Sequence, residues 1–181
     1  MQGRITGFDE KGRKGKSMAL LTIRQIGDPI LEKKCKSVME MTPRIRELID
    51  NMFETMYDAN GVGLAAPQVG VLKRIVVIDV SEEQNEPYVF INPRIVEQTG
   101  EQTGYEGCLS LPGKSGIVTR PQYVKAVAWD KDMKQFEMEG TDLMARCMCH
   151  EFEHLDGLLY VRLVEGGLVD NDELYEDEEE E

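Results

Sequence analysis

His150 and His154 are the only two histidines in the chain, separated by Glu151, Phe152 and Glu153. Four residues is just over one helical turn, so on a helix both imidazoles lie on one face and can grip a single metal ion. A carboxylate directly after the first histidine, here Glu151, then stands beside the ion's water as a general base. The competing reading is a surface helix that happens to carry two histidines, because HExxH is short enough to arise by chance. A catalytic site of the zinc type takes three protein ligands and keeps one position open, so a third ligand must come from elsewhere.

The metzincin continuation HExxHxxGxxH finds its glycine at Gly157 but has Tyr160 where the third histidine would stand. A thermolysin-like metallopeptidase would recruit a downstream acid. Glu173 and Glu176 are at a plausible distance, but they lie in a polar acidic stretch without an apolar stripe. Four cysteines remain. Cys35 is embedded among Lys33, Lys34 and Lys36 and reads as an exposed or half-buried position. Cys147 shares a face with His150 but lies about 10 Å along the axis from His154, so it reads as core or pocket wall. Cys149 points to another face. Cys108, in Tyr105-Glu106-Gly107-Cys108-Leu109-Ser110-Leu111-Pro112, can reach across to the helix and complete a Cys-His-His site.

A third segment, Gly61-Val62-Gly63-Leu64-Ala65-Ala66-Pro67-Gln68-Val69-Gly70, is small, apolar and punctuated by glycine, with Gln68 its one polar side chain. By itself it is a tight loop against a core. Together with Glu106–Ser110 and His150–His154 it resembles the peptide deformylase family, whose motifs GxGLAAxQ, EGCLS and HExDH occur in that order at about these separations. The resemblance covers roughly Leu20 to Val164. It departs at Glu153, where the family has aspartate, which lengthens by one methylene an arm that supports a ligand.

The resemblance implies a hydrolase that removes the N-formyl group from formylmethionine at the start of new polypeptides. It implies Cys108, His150 and His154 as ligands of one divalent ion, Fe2+ by family habit, with Zn2+, Ni2+ or Co2+ as substitutes. It makes Glu151 the proton carrier, and the Gln68 side chain and Leu109 N–H the donors to the developing oxyanion. Gln68 read alone could equally brace its loop. Val62, Gly63, Glu106 and Gly107 correspond to the family's peptide-binding edge, and Leu143, Arg146 and Cys147 to the walls of its methionine pocket. For Arg146 the expectation is an aliphatic stem on the pocket with its charged head outward. A Glu106–Arg120 ion pair is expected near the mouth. The remaining alternative is a non-catalytic metal-binding module, but a purely structural site fills its fourth position with protein.

The elements that would hold these groups indicate an α+β fold, with antiparallel or mixed sheets around a central metal-binding helix. Thr42-Pro43 caps and opens a helix, and Ile45, Leu48, Ile49, Met52, Phe53 and Met56 recur along it as a core-facing stripe that Asn60-Gly61 ends. Ile75-Val76-Val77-Ile78 reads as a buried strand. Tyr88–Asn92 and Ile95–Gln98 read as strand on either side of Pro93. Tyr123–Trp129 and Gln135–Met138 flank a turn at Asp130–Met133 as a hairpin. Thr141 then caps the helix of the two histidines, which stops at Gly157.

At 181 residues the chain is long enough for one self-sufficient core. The net charge of −13 is unevenly spread. Ten of the 34 acids follow Arg162 with no further base, and without them 24 acids face 21 bases, a balance of −3. Nucleic-acid binding through a basic surface is therefore not expected. Three regions follow: a glycine-rich, basic, flexible extension over 1–17, a catalytic domain over 18–168, and an acidic, disordered tail over 169–181. No run approaches a membrane span, the start lacks the apolar run of a secretory signal, and the cysteines show no framework spacing. The expected setting is the bacterial cytoplasm, and the expected state a monomer meeting formyl-Met nascent peptides transiently at the ribosome. Deformylases that dock there use a basic C-terminal helix, which this acidic end does not supply.

Overall fold

The computed structural model describes residues 19–178; the extension expected over 1–17 lies outside the described residues. Helix α1 spans Pro43–Asp58, with the Thr42 side chain accepting from Ile45 N–H and proline at its first position. Strand β1 (Gly63–Ala65) follows, then a 3-10 turn over Ala66–Val69 and strand β2 (Ile75–Ile78). Strands β3 (Tyr88–Thr99), β4 (Gln102–Cys108), β5 (Leu111–Arg120), β6 (Tyr123–Trp129) and β7 (Gln135–Thr141) lead into helix α2 (Asp142–His154). Strand β8 (Glu165–Asp170) and helix α3 (Asn171–Glu178) complete the described chain.

Two antiparallel sheets result, ordered β1-β2-β3-β6-β7 and β4-β5-β8. The larger is buried on both faces along β1 and β2, and the alternation along these strands divides the core between them. Ile75, Val77 and Leu64 face α1 and meet Ile49, Met52 and Met56, all without solvent exposure. Val76, Ile78, Ala65 and Phe90 face α2 and meet Ala145, Met148, Phe152 and Leu155. Helix α2 thus lies against the larger sheet, while the smaller sheet presents β4 and β5 to its side, with Arg146 of α2 bonded to Val118 of β5.

Several elements differ from expectation. Pro93 does not divide two strands: β3 runs through it, and the pairing with β6 slips between Ile91 and Arg94, a bulge that accommodates a residue unable to donate to the ladder. Thr141 occupies the N-cap position of α2 without a side-chain cap bond, because β7 runs directly into the helix. The tail expected from 169 onward includes the end of β8 and helix α3. Pairing of β8 with β5 (Lys114 opposite Asp170) and the Lys114–Asp170 ion pair at 2.8 Å satisfy this acidic segment from outside its own composition. Residues 179–181 lie outside the described residues.

α2 ends at His154, and the chain turns through Gly157 at φ +73°. A Cβ at Gly157 would run into the backbone carbonyl of Glu32, so neither the left-handed conformation nor the space accommodates a side chain. Gly157→Ala is expected to destabilise the fold by about 1–3 kcal/mol from the backbone conformation alone. The midpoint of urea unfolding, at unchanged slope, measures it.

Candidate active site

Three segments distant in sequence meet on one face of α2. The pair His150 and His154 is nearly solvent-free, at 6% and 1% exposure, and their Nε2 atoms stand 3.2 Å apart. Cys108, at the end of β4, brings its Sγ to 3.4 Å from His154 Nε2. Among the described residues these three form the one cluster of His, Cys, Asp and Glu donors able to share an ion, with all donor atoms within 4.8 Å of one another. The spacing fits a metal. With bonds of about 2.0–2.1 Å to nitrogen and about 2.3 Å to sulfur, separations of this size correspond to near-tetrahedral angles of roughly 100°. Without an ion, two nitrogens this close tolerate each other only if they share a proton. Burial disfavours charge on His150, but hydrogen bonds with Cys108 and Glu106 outweigh it and lift its pKa to about 10. Burial and the neighbouring His150 hold His154 well below the usual histidine value. An ion held here would replace that proton, so its uptake would release it.

Cys108 reaches the helix because β4 and β5 form a tight hairpin. Cys108 pairs with Leu111 across a two-residue loop, Leu109-Ser110, after a register shift at Gly107. The same loop receives Gln68, 1% exposed, from the 3-10 turn after β1. Gln68 Oε1 accepts from Ala65 N–H at 2.9 Å, which fixes the amide's orientation. Its Nε2 donates to Ser110 Oγ at 3.1 Å and faces Cys108 Sγ at 3.5 Å. The oxygen thus braces the loop, and the nitrogen faces Cys108 Sγ.

Glu151 is 5% exposed, and its Oε2 is buried without a hydrogen-bond partner. Burial lifts its carboxyl to about 7, against the pull of His150. A lone buried carboxylate oxygen of raised pKa beside a group of side chains able to hold an ion is the arrangement expected of a proton carrier. Gly63 makes room for it: a Cβ there would stand 2.6 Å from Glu151 Oε1 and 2.7 Å from Cys147 Sγ.

Glu106 and Arg120 do pair, but in the interior rather than at the mouth. Glu106 Oε1 accepts from His150 Nδ1 at 2.6 Å and from Arg120 Nη2 at 2.7 Å, with both side chains of the ion pair 3–4% exposed. Burial alone would raise the Glu106 pKa, yet the His150 and Arg120 hydrogen bonds hold it near about 2. The charge is therefore kept, and it sets the tautomer that turns His150 Nε2 toward the other ligands. The longer arm at Glu153 is used: Oε2 lies 3.0 Å from Arg120 Nη1 while Oε1 accepts from Arg162 Nη2.

Two cavities open on this cluster. The larger, 570 Å³, is lined by Val62, Gly63, Gly107, Cys108, Leu109, His150 and Glu151, and at its far end by Lys114 and Asn171. The smaller, 130 Å³, is lined by Val62, Tyr105, Glu106, Gly107, Leu143, Arg146, Cys147, His150 and Glu151. All seven residues expected on the peptide edge and in the methionine pocket line one cavity or the other. Arg146 is the exception in posture: its head turns inward, donating to Glu106 Oε2 at 3.0 Å and to Val118 C=O at 3.1 Å. Burial raises the Cys147 thiol well above the usual cysteine value, so it stays a neutral wall. Tyr160, where a third histidine would stand in a metzincin, packs its ring against His150 at 5.5 Å between centroids. Glu173 is exposed on α3 and is not among the clustered donors. Sequence reasoning missed Asn171 and Lys114 at the far end of the larger cavity. Neither carries a motif, and only the pairing of β5 with β8 brings them there.

A family model described as polypeptide deformylase matches residues 20–166. A peptide deformylase of Agathobacter rectalis is 64% identical over 163 residues, covering 90% of this chain and all of that protein. One from Lachnoclostridium phytofermentans is 63% identical over 164 residues, covering 91% and 100%. Among solved structures, a peptide deformylase from Legionella pneumophila aligns with a TM-score of 0.79 at 42% identity, covering 82% of this chain and 88% of that one. One from Synechococcus elongatus in complex with actinonin aligns with a TM-score of 0.76 at 37% identity, covering 88% and 85%. With its cysteine–histidine cluster, buried glutamate and two-sheet frame, the chain belongs to the polypeptide deformylase family.

Proposed function

We propose that this site deformylates formylmethionine at the start of new polypeptides in the following way, with Cys108, His150 and His154 holding one divalent ion. When bound, the ion supplies Lewis acidity, which acidifies water and polarises the formyl carbonyl. Glu151 takes the proton of the attacking water and returns it to the leaving amine. The Gln68 Nε2 and the Leu109 N–H donate to the oxygen on which negative charge develops. The observation that carries this reading is the meeting of three ligand-type side chains with a partnerless buried carboxylate and an amide that faces Cys108 Sγ.

Formyl is too small an acyl group to carry specificity. That falls to the 130 Å³ cavity walled by Leu143, Arg146 and Cys147, which takes the methionine side chain, and to Val62, Gly63, Glu106 and Gly107, which line the path of the extended peptide. All these groups fall within residues 18–168. A borderline, thiolate-containing ligand set suits Fe2+, with Zn2+, Ni2+ and Co2+ as substitutes. On this reading the protein works as a monomer in the cytoplasm on nascent chains; the charged side chains between Arg162 and Glu181 are all acidic. Among the described residues no helix is long and apolar enough to cross a membrane.

The test is formate release from a formyl-Met tripeptide by protein prepared without oxygen and loaded with ferrous iron or nickel. Release is expected with both metals, and the iron form should lose activity in air as iron and Cys108 oxidise. No release at one-to-one metal loading would count against the substrate; equal stability of the iron form in air would count against iron.

A further inference from the structure

Arg146 lies one helical turn before His150 on α2, and its guanidinium is buried against Glu106 of β4. A carboxylate has about four acceptor positions, and Glu106 fills them all. His150 Nδ1 and Arg120 Nη2 take Oε1, at 2.6 and 2.7 Å; Arg120 Nε and Arg146 Nη1 take Oε2, at 3.1 and 3.0 Å. Arg120, on the end of β5, approaches Glu106 from the sheet side. Arg146 and His150 approach from the helix side at positions i and i+4, so the carboxylate is bracketed against α2 at two points one turn apart. The same Nη1 donates to Val118 C=O in β5 at 3.1 Å, and Nη2 lies 3.4 Å from Gln102 C=O. A cation placed merely to snorkel from a pocket wall would send its head to water; this one ties α2 to both strands of the Cys108 hairpin.

We propose that Arg146 is a positioning residue of this site: as the fourth donor to Glu106 it locks the carboxylate that orients His150, and so preserves metal affinity. The inference rests on reading Cys108, His150 and His154 as the ligands. Without Arg146, Oε2 keeps only the longer Arg120 bond, and the carboxylate can turn away from His150.

The experiment uses the full chain loaded with zinc. The zinc dissociation constant is measured by competition with a chromophoric chelator for the wild type, R146M, R146Q, R146K and Cys108→Ala, with thermal unfolding followed on the same samples. R146M and R146Q are expected to bind zinc about 10- to 100-fold more weakly, as loss of a supporting partner does elsewhere. R146K, which keeps a charged donor, should recover part of that loss. The His150 Nδ1–H resonance should shift or broaden in R146M. A merely structural arginine would lower the unfolding temperature and leave both affinity and resonance at their wild-type values; that result overturns the proposal. If R146M does not fold, R146Q decides by the same criterion. Cys108→Ala should lose zinc. If it binds zinc like the wild type, the ligand reading itself fails, whatever Arg146 does.

Discussion

Glu151→Gln is expected to lower the rate of formate release by about 10²- to 10⁴-fold, the range spanned by a positioned general acid–base group, while the protein folds and keeps its metal. The substitution is nearly isosteric, so Gly63 and Cys147, which crowd the side chain, meet the same shape. What changes is the ability to hold a proton. In the proposed reaction the carboxylate oxygen without a hydrogen-bond partner takes the attacking water's proton, and an amide cannot take it. Single-turnover release of formate, with metal content measured on the same sample, separates lost chemistry from a lost ion. A decline smaller than about tenfold, with metal retained, would remove Glu151 from the proton-carrying role.

Glu106→Ala should bring the largest loss of stability. Its carboxylate is the counter-charge of two guanidiniums whose side chains are 3% and 10% exposed, and the acceptor for the buried His150 Nδ1. Removing one member of such a cluster strands the others away from water, which costs about 3–5 kcal/mol. Equilibrium urea unfolding of metal-free protein is the appropriate measurement, because metal loss would otherwise add to the difference. A change under about 1 kcal/mol would mean that water already solvates the arginines, and that the cluster is weaker than its geometry implies.

The parts of this fold legible in the sequence are those whose signal is local. Thr42-Pro43 and the stripe from Ile45 to Met56 specify α1 without outside help, and Ile75–Ile78 is strand by composition. The β4–β5 hairpin is different. Gly104, Gly107, Pro112, Gly113 and Gly116 give its strands poor intrinsic preference, and they form because each pairs with the other and β5 also pairs with β8. The acidic stretch after Arg162 likewise reads as solvated until Lys114 is known to face Asp170. At the site, the spacing of His150 and His154 was enough to bring the two rings together, because a helix converts four residues into one face. The inward turn of Arg146 could not be read. It depends on an acceptor forty positions away in the chain with one vacancy left, a fact of packing rather than of pattern.

The three ligand-type side chains belong to two bodies, with Cys108 on the β4–β5 hairpin and His150 and His154 on the helix packed on the larger sheet. An ion held there is a cross-link as well as a reagent. Binding to the folded chain and not to the unfolded one adds about 2.7 kcal/mol of stability when free metal is a hundred times its dissociation constant. The melting temperature thus becomes a meter of occupancy. Ranked across a series of metals, with no substrate present, it would order their affinities, and the smaller sheet would be the first part to loosen as the ion is withdrawn.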